Sequence, residues 1–268
     1  MSGRLNGKVT IITGATSGIG EATARCFIAQ GARVVLAGRS VEKGKQLAKE
    51  LGERATFHAA DVMREVDIAA LVDFVSQKFG RLDCLFNNAG APTPGKLDEV
   101  SEEQFAYAMR LLLGSVVFGI KHAARVMKPQ GSGSIINNSS IAAHRSGQGS
   151  ILYSAAKAGV SHYTRLAGLE LGPFGIRVNA ISPGAIATPI FWGGSTRAAT
   201  LSDEDNARKQ AKLEGNLAKS TPLPRSGFGY DIAHAALFLA SDEGSFVNCH
   251  DLVVDGGRTS WFYEKPQQ

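Results

Sequence analysis

The feature that most constrains the fold is a regular alternation between short apolar runs and longer segments of helical period. Seven runs rich in β-branched residues predict strands, at residues 8–13, 33–37, 55–60, 83–87, 134–138, 177–181 and 252–255. Because helical segments separate these runs, we expect the strands to pair in parallel through crossover connections. No linker interrupts the pattern across the 268 residues. The sequence therefore predicts one α/β domain over residues 1–268, built as a doubly wound parallel sheet.

One long segment departs from this alternation. Residues 184–228 contain the adjacent Gly193 and Gly194, the prolines Pro222 and Pro224, and a polar stretch of helical period at 202–217. An irregular segment of this length inside a compact domain is usually a lid or a binding loop. We therefore interpret residues 184–228 as a substrate loop.

Charge, hydropathy and cysteine usage indicate which kinds of partner the protein can bind and in which cell compartment it is expected. The 29 Lys and Arg exceed the 24 Asp and Glu only slightly and are scattered among them, which argues against a nucleic-acid partner. The most apolar stretch, 111–120, is too short to span a bilayer. The N-terminal residues lack the apolar run of a signal peptide, and the 3 cysteines are widely spaced. These features predict a cytoplasmic protein with no metal site and no membrane partner.

A glycine-rich turn lies between the first predicted strand and the first predicted helix. Gly14 lets the chain turn, Gly18 permits close approach of a pyrophosphate, and Gly20 allows the helix to pack tightly on the sheet. The other candidate contacts in this turn are Thr16, Ser17 and Ile19. Glycine clusters also occur in ordinary tight turns, but the position between strand and helix favours a dinucleotide site at the helix N-terminus.

The ends of the third and fourth predicted strands supply further candidate cofactor contacts. Asp61 and Val62 follow the third strand, where the aspartate either caps a helix or contacts an adenine. Asn88, Ala89 and Gly90 follow the fourth strand and form either a simple turn or part of the ligand crevice. Open α/β sheets place their ligands at this edge, beside the topological switch point.

Arg39, at the end of the second predicted strand, bears on the choice of cofactor. An acidic residue here would bind the ribose hydroxyls of NAD, whereas an arginine can pair with the 2′-phosphate of NADP. Gly38 stands where the acidic residue is expected. An exposed loop arginine is the alternative interpretation. The sequence favours NADP(H), with NAD(H) as the second choice.

Ser140, Tyr153 and Lys157 form the candidate catalytic group. Tyr153 and Lys157 are four residues apart, so they share one face of a predicted helix. The pKa of a phenol is near 10 in water, and positive charge from Lys157 and an oxidised nicotinamide would favour the phenolate. Tyr153 could then exchange a hydroxyl proton during hydride transfer, while Ser140 holds the substrate oxygen. The shared sheet edge with the glycine-rich turn favours this interpretation over an exposed helical pair.

With these residues in place, the sequence resembles the short-chain dehydrogenase/reductase family over nearly its whole length. The matching features are the turn at 13–20, Asp61, residues 87–90, Ser140, Tyr153, Lys157, Pro183, Gly184, Thr188 and the motif at 254–257. The resemblance implies a Rossmann-type sheet in the order 3-2-1-4-5-6-7, with cofactor contacts that include Pro183, Gly184, Ile186 and Thr188. It also implies a homo-oligomer, a tetramer or a dimer. Residues 121–127 resemble the branch that acts on secondary alcohols of terpenoid, steroid or lignan type.

The sequence departs from the family at Leu112. Members of the family commonly carry an asparagine here, which completes a Ser-Asn-Tyr-Lys tetrad and holds a water that links the lysine to solvent. A leucine has no polar side chain for this task. The departure leaves a cofactor-binding sensor or scaffold with decayed catalysis as the alternative to an enzyme. Retention of Ser140, Tyr153 and Lys157 favours the enzyme.

Four residues are candidates for contact with a small-molecule substrate. Phe191 and Trp192, together with Ile190 directly before them, open the substrate loop, where they form either hinge packing, an oligomer contact, or an apolar lid that excludes water. His144 and Gln148, between Ser140 and Tyr153, could add polar contacts. A lid of this kind fits an apolar cyclic alcohol or ketone better than a sugar or a charged acid.

Overall fold

The computed structural model describes residues 3–261, and within them a seven-stranded sheet forms the centre of the molecule. The strands are β1 (Val9–Thr13), β2 (Arg33–Gly38), β3 (Ala55–Ala59), β4 (Cys84–Asn87), β5 (Gly133–Asn138), β6 (Ile176–Pro183) and β7 (Asp251–Val254). All neighbouring strands pair in parallel, in the order β3-β2-β1-β4-β5-β6-β7. Both the strand count and the order confirm the expectation.

Helices cover both faces of this sheet. They are α1 (Gly18–Ala29), α2 (Val41–Leu51), α3 (Glu65–Phe79), α4 (Glu102–Met109), α5 (Ser115–Gln130), α6 (Ile151–Leu171), α7 (Gly194–Ala198), α8 (Asp203–Ala218) and α9 (Gly229–Ala240). Alternate residues of β1 show how the two cores divide: Ile11 packs under α3, α5 and α6, and Ile12 packs under α1 and α9. Each fully buried side chain of this size stabilises the fold by roughly 1.5–3 kcal/mol.

The region 102–127, for which the periodicity predicts one helix, is interrupted by a π-helical turn. A capping box of Ser101 and Gln104 stabilises its start, as the pattern Ser-Glu-Glu-Gln at 101–104 predicts. After α4 the turn spans Arg110–Gly114, and α5 follows directly. The wider turn lets the successive residues Leu111 and Leu112 both point inward, into a cluster with Val62, Ile68 and Ala156. A π turn adds one residue without changing the period on either side, so the pattern does not reveal it.

The segment 184–228 is anchored at its base and carries its own helices. A bridge pairs Ile186 with Gly227, and the amide of Ala187 donates to the carbonyl of Gly227 at 2.8 Å. The predicted polar helix at 202–217 corresponds to α8. The segment therefore projects from a closed base above the carboxyl ends of the strands.

Two features absent from residues 3–261 bear on function. None of the helices there is long and apolar enough to cross a membrane. Over the same residues, no group of three or more His, Cys, Asp or Glu side chains is arranged to hold a metal ion.

Candidate active site

The glycine-rich turn is packed too closely to accept side chains. Gly14 and Gly18 have φ angles of +63° and +54°, which favour glycine. A β-carbon on Gly14 would lie 2.9 Å from Cα of Ala89, and one on Gly20 would lie 2.2 Å from the carbonyl oxygen of Gly14. The Ser17 side chain makes no capping bond to α1, so the first amides of this helix face the adjacent cavity without a side-chain acceptor. This cradle fits a pyrophosphate.

A cavity of about 610 Å³ runs from this turn along the carboxyl edge of the sheet. It brings together most of the predicted cofactor residues, namely Gly14, Thr16, Ser17, Gly18, Ile19, Arg39, Asp61, Val62, Asn88, Ala89, Gly90, Tyr153, Lys157 and Thr188. The parallel strands explain this convergence, because their carboxyl ends lie at one edge.

Five predicted residues lie behind the surface of this cavity. They are Gly20, Ser140, Pro183, Gly184 and Ile186. Gly20 packs on Gly14, and a β-carbon on Gly184 would lie 2.6 Å from Cβ of Asp255. The Ile186 side chain is buried in the core beside α9, so only its backbone is available to a ligand.

Asn88 and Asp61 line the cavity, and their side chains also hydrogen-bond to the backbone of neighbouring turns. The Asn88 amide group donates to the carbonyls of Thr13 at 2.9 Å and Gly14 at 3.3 Å, and so holds the glycine-rich turn against β4. The Asp61 carboxylate accepts from the amide of Met63 at 3.0 Å. The structural and the cofactor interpretations of these residues are therefore compatible.

Tyr153 and Lys157 line the far end of the cavity, and Ser140 lies beside Tyr153 just behind the cavity surface. Lys157 is buried, with its Nζ 5.6 Å from the centre of the Tyr153 ring. Its ammonium donates to the backbone carbonyl of Asn138 at 2.6 Å. The Ser140 hydroxyl hydrogen-bonds to the Tyr153 phenol and accepts from the amide of Ala142 at 3.1 Å. A proton donor and a second hydrogen-bonding group thus lie together, with a buried cation beside them.

Burial disfavours the charged forms of both Tyr153 and Lys157, so it shifts their pKa values in opposite directions. It raises the pKa of Tyr153, and the hydrogen bond with Ser140 opposes this rise only in part. It lowers the pKa of Lys157 from its ordinary 10.5 to about 8. The fall in the Tyr153 pKa that the sequence predicts therefore does not occur in the protein alone. The reason is that Nζ of Lys157 lies over the Tyr153 ring and donates to the carbonyl of Asn138, not to the phenolic oxygen. The phenol keeps its proton at neutral pH.

Leu112 occupies an apolar position beside this group. Its side chain is only 1% exposed and belongs to the same cluster as Ala156 and Tyr153. The Lys157 ammonium turns instead to the carbonyl of Asn138, whose side chain donates to Asn88 at 3.0 Å. Sequence reasoning missed Asn138, although its place at the end of β5, directly before the two serines, is a usable signal.

Replacing Leu112 by Asn is expected to lower the free energy of unfolding by about 2 kcal/mol, because the buried amide would lack hydrogen-bond partners. Chemical denaturation of the two proteins measures the difference. Leu97→Asn serves as the matched control, since Leu97 is 80% exposed and its loss should be near zero. An unfolding curve for Leu112→Asn that coincides with that of the parent would contradict burial at this position.

The four predicted substrate residues lie outside the lining of the main cavity. His144 bonds through Nε2 to Asp251 and Ser182, at 3.0 and 3.1 Å. Gln148 accepts from Arg258 at 2.8 Å, and Phe191 is exposed. Trp192 donates to Asn206 at 3.3 Å and lines a neighbouring cavity of about 540 Å³ beside the glycine-rich turn. The polar atoms of His144 and Gln148 thus have protein partners, and contact of all four residues with a substrate stays a prediction.

The cavity also contains residues that the sequence interpretation missed. They are Ser40, Lys43, Leu111, Asn138, Pro189, Ser195 and Thr196, among others. Lys43 had a detectable signal, because it lies one helical turn after Arg39 at the start of α2. The residues of the substrate loop had none, since the path of that loop depends on its tertiary contacts.

The comparisons with known proteins point to one family. A family model described as enoyl-(acyl carrier protein) reductase matches residues 14–259. Momilactone A synthase from Oryza sativa subsp. japonica is 43% identical over 259 residues, which cover 95% of this chain and 90% of that protein. The mitochondrial borneol dehydrogenase of Lavandula x intermedia is 40% identical over 257 residues, with coverage of 95% and 91%.

Solved structures lead to the same family. A crystal structure of a short-chain dehydrogenase/reductase from Burkholderia xenovorans matches with a TM-score of 0.84 and 33% identity, covering 97% of this chain and 100% of that one. Its likeness spans the sheet, the glycine-rich turn and the segment that carries Tyr153 and Lys157. The chain belongs to the short-chain dehydrogenase/reductase family and is an NAD(P)-dependent oxidoreductase of secondary alcohols and ketones.

Proposed function

We propose that the protein interconverts a secondary alcohol and a ketone on an apolar cyclic substrate, with NADP(H) as its preferred cofactor. The observation that carries the proposal is that Tyr153 and Lys157 line the cavity that begins at the glycine-rich turn, with Ser140 hydrogen-bonded to Tyr153 directly behind that lining. Relatives named as a borneol dehydrogenase and a momilactone A synthase support a substrate of this class.

Ser140, Tyr153 and Lys157 have different roles in transferring the proton of the substrate hydroxyl. When bound, the nicotinamide supplies the hydride or accepts it. Ser140 holds the substrate oxygen by a hydrogen bond, and Tyr153 transfers the proton at its phenolic oxygen. Burial keeps this phenol protonated at neutral pH, which suits donation to a ketone oxygen. In the opposite direction the Lys157 ammonium favours the phenolate by its charge.

Two cations support the preference for NADP(H). Arg39 and Lys43 are both exposed side chains that line the cavity beyond the end of β2. Within residues 3–261 neither forms an ion pair with an acidic side chain. Gly38, the last residue of β2, leaves this position without a carboxylate that would repel a 2′-phosphate.

Arg39→Ala is expected to raise the Kd of NADP(H) about tenfold and to leave the Kd of NAD(H) within about twofold, because only NADP(H) offers a charge-assisted contact. Fluorescence titration with each cofactor measures both constants. Lys45→Ala is the matched control, since Lys45 is exposed on α2 but does not line the cavity. Equal losses for the two cofactors, or a parent that binds NAD(H) more tightly, would contradict the assignment.

A spectrophotometric screen tests the function itself. Cyclic ketones are offered with reduced cofactor and cyclic alcohols with oxidised cofactor, each with NADP(H) and NAD(H) in parallel, and sugars serve as the comparison class. The proposal expects turnover of apolar cyclic compounds, faster with NADP(H). Better turnover of sugars than of any apolar ring compound would overturn the substrate class.

The proposal extends to the oligomeric state of the protein and its location in the cell. We expect a homo-oligomer, a tetramer or a dimer, because α4 and α6 carry large exposed apolar side chains such as Phe105, Leu166 and Leu169. We expect a cytoplasmic location, which the free thiols of Cys26, Cys84 and Cys249 support. Phe191 and Trp192, on the substrate loop, are proposed to cover the substrate when that loop closes.

A further inference from the structure

A buried carboxylate lies close to Ser140, Tyr153 and Lys157 but takes no part in the proton transfer proposed for them. Asp251 is the first residue of β7, and its side chain is only 3% exposed. It accepts from the hydroxyls of Ser161 at 2.5 Å and Ser182 at 2.7 Å, and from Nε2 of His144 at 3.0 Å. Burial of a carboxylate is costly unless such bonds surround it. The cluster is therefore organised around Asp251.

The hydrogens in this cluster all point toward the carboxylate. An ionised Asp251 only accepts, so Nε2 of His144 carries a proton and Ser161 gives its single hydroxyl hydrogen to Asp251. The Ser139 hydroxyl, 2.7 Å from that of Ser161, must then be the donor in this contact. The single Ser139 hydrogen is then shared, as a bifurcated bond, between Ser161 and the carbonyl of Lys157 at 3.0 Å. A continuous chain of hydrogen bonds thus runs from Ser139 to Asp251.

The partners of Asp251 belong to the segments that carry the catalytic side chains. Ser161 follows Tyr153 and Lys157 by two turns and one turn of α6, so the three residues share one helix face. Ser139 directly precedes Ser140. His144 ends the short helical turn Ile141–Ala143, which begins at Ser140. One carboxylate thereby connects both sides of Ser140 to the helix face of Tyr153.

We propose that Asp251 and His144 are positioning residues that fix the separation between the Ser140 hydroxyl and the Tyr153 phenol. The proposal rests on the proposed function, which assigns the chemistry to Ser140 and Tyr153. Asp251 and His144 do not line the main cavity, and Nε2 of His144 bonds to Asp251; both act by holding the segment 139–144 against α6 and β7. Proton and hydride transfer depend steeply on such distances, so this restraint acts on kcat.

The first test compares Asp251→Asn, His144→Leu and His144→Gln on an alcohol that the parent oxidises. An amide nitrogen in place of one carboxylate oxygen cannot accept the hydrogens of Ser161, Ser182 or His144. Asp251→Asn and His144→Leu should lower kcat roughly 10–100-fold and leave the Kd of NADP(H) within about twofold. His144→Gln should restore most of the kcat lost in His144→Leu, because its amide N–H can replace Nε2–H. The double variant Asp251→Asn, His144→Leu should lose little more than either single variant.

Asp83→Asn is the matched control for stability. Asp83 is also buried and accepts from Arg81 and from the amide of Val9, but it lies before β4 at the opposite edge of the sheet. It should lower the melting temperature and leave kcat unchanged. A loss of kcat in Asp83→Asn equal to that in Asp251→Asn would overturn the proposal, as would a parental kcat in Asp251→Asn.

Amide hydrogen exchange provides a second measurement that needs no turnover. Exchange over residues 140–148 should be faster in Asp251→Asn and His144→Leu, and parental in His144→Gln and Asp83→Asn. Parental exchange in Asp251→Asn and His144→Leu would overturn the proposal even if turnover fell. A parent that binds cofactor and turns over no alcohol would contradict the proposed function, while exchange would still show whether Asp251 and His144 hold this segment.

Discussion

Replacing Tyr153 by Phe is expected to lower kcat about 10³-fold for both alcohol oxidation and ketone reduction, because the phenol is the group that transfers the proton. The Kd of NADP(H) should stay within about threefold of the parent, since the ring remains in its apolar cluster. Initial rates at saturating substrate and fluorescence titration of the cofactor measure the two effects separately.

Tyr163→Phe is the matched control for this variant. Tyr163 lies on the same helix, and burial raises the pKa of its phenol as well, but it does not line the cavity. Its removal should leave kcat unchanged. Turnover by Tyr153→Phe close to that of the parent would show that Tyr153 is not the proton donor.

Replacing Lys157 by Met is expected to change how stability depends on pH. The pKa of Lys157 is about 8 in the fold and near 10.5 in the unfolded chain, because burial disfavours the ammonium. Between these two values the unfolded chain binds more protons, so the parent gains stability as the pH rises from about 8. The gain amounts to about 3 kcal/mol by the time the pH reaches the unfolded pKa. Lys157→Met lacks this titration.

Denaturant unfolding at several pH values checks this prediction. Below pH 8 the Met variant should be the more stable protein, and the difference in the free energy of unfolding should shrink toward pH 10.5. A difference that stays constant over this range would mean that Lys157 is not held in a desolvated position.

Much of this arrangement follows from local sequence pattern. The seven strands are evident from alternating apolar runs, and the glycine-rich turn marks the start of α1. Parallel pairing then brings the ends of β1 to β4 to one edge, so Arg39, Asp61 and Asn88 converge without any knowledge of side-chain contacts. The i, i+4 spacing of Tyr153 and Lys157 places them together on α6 for the same reason.

What the sequence did not reveal depends on distant partners. His144 is held by Asp251, 107 residues away, and Gln148 by Arg258, 110 residues away, and no local pattern encodes either pair. Trp192 bonds to Asn206 because the substrate loop folds back on itself. The π turn at Leu112 is hidden because the helical period is the same on both sides of it.

Transfer of deuterium tests the central claim most directly. A cyclic secondary alcohol that carries deuterium on its carbinol carbon is incubated with oxidised NADP and the protein, and nuclear magnetic resonance then measures the label at C4 of the nicotinamide. The parent should transfer the label to one face of the ring, and Tyr153→Phe should transfer about 10³-fold less at equal time. Cofactor that binds to the parent but acquires no label from any alcohol would contradict an oxidoreductase and favour a cofactor-binding sensor or scaffold.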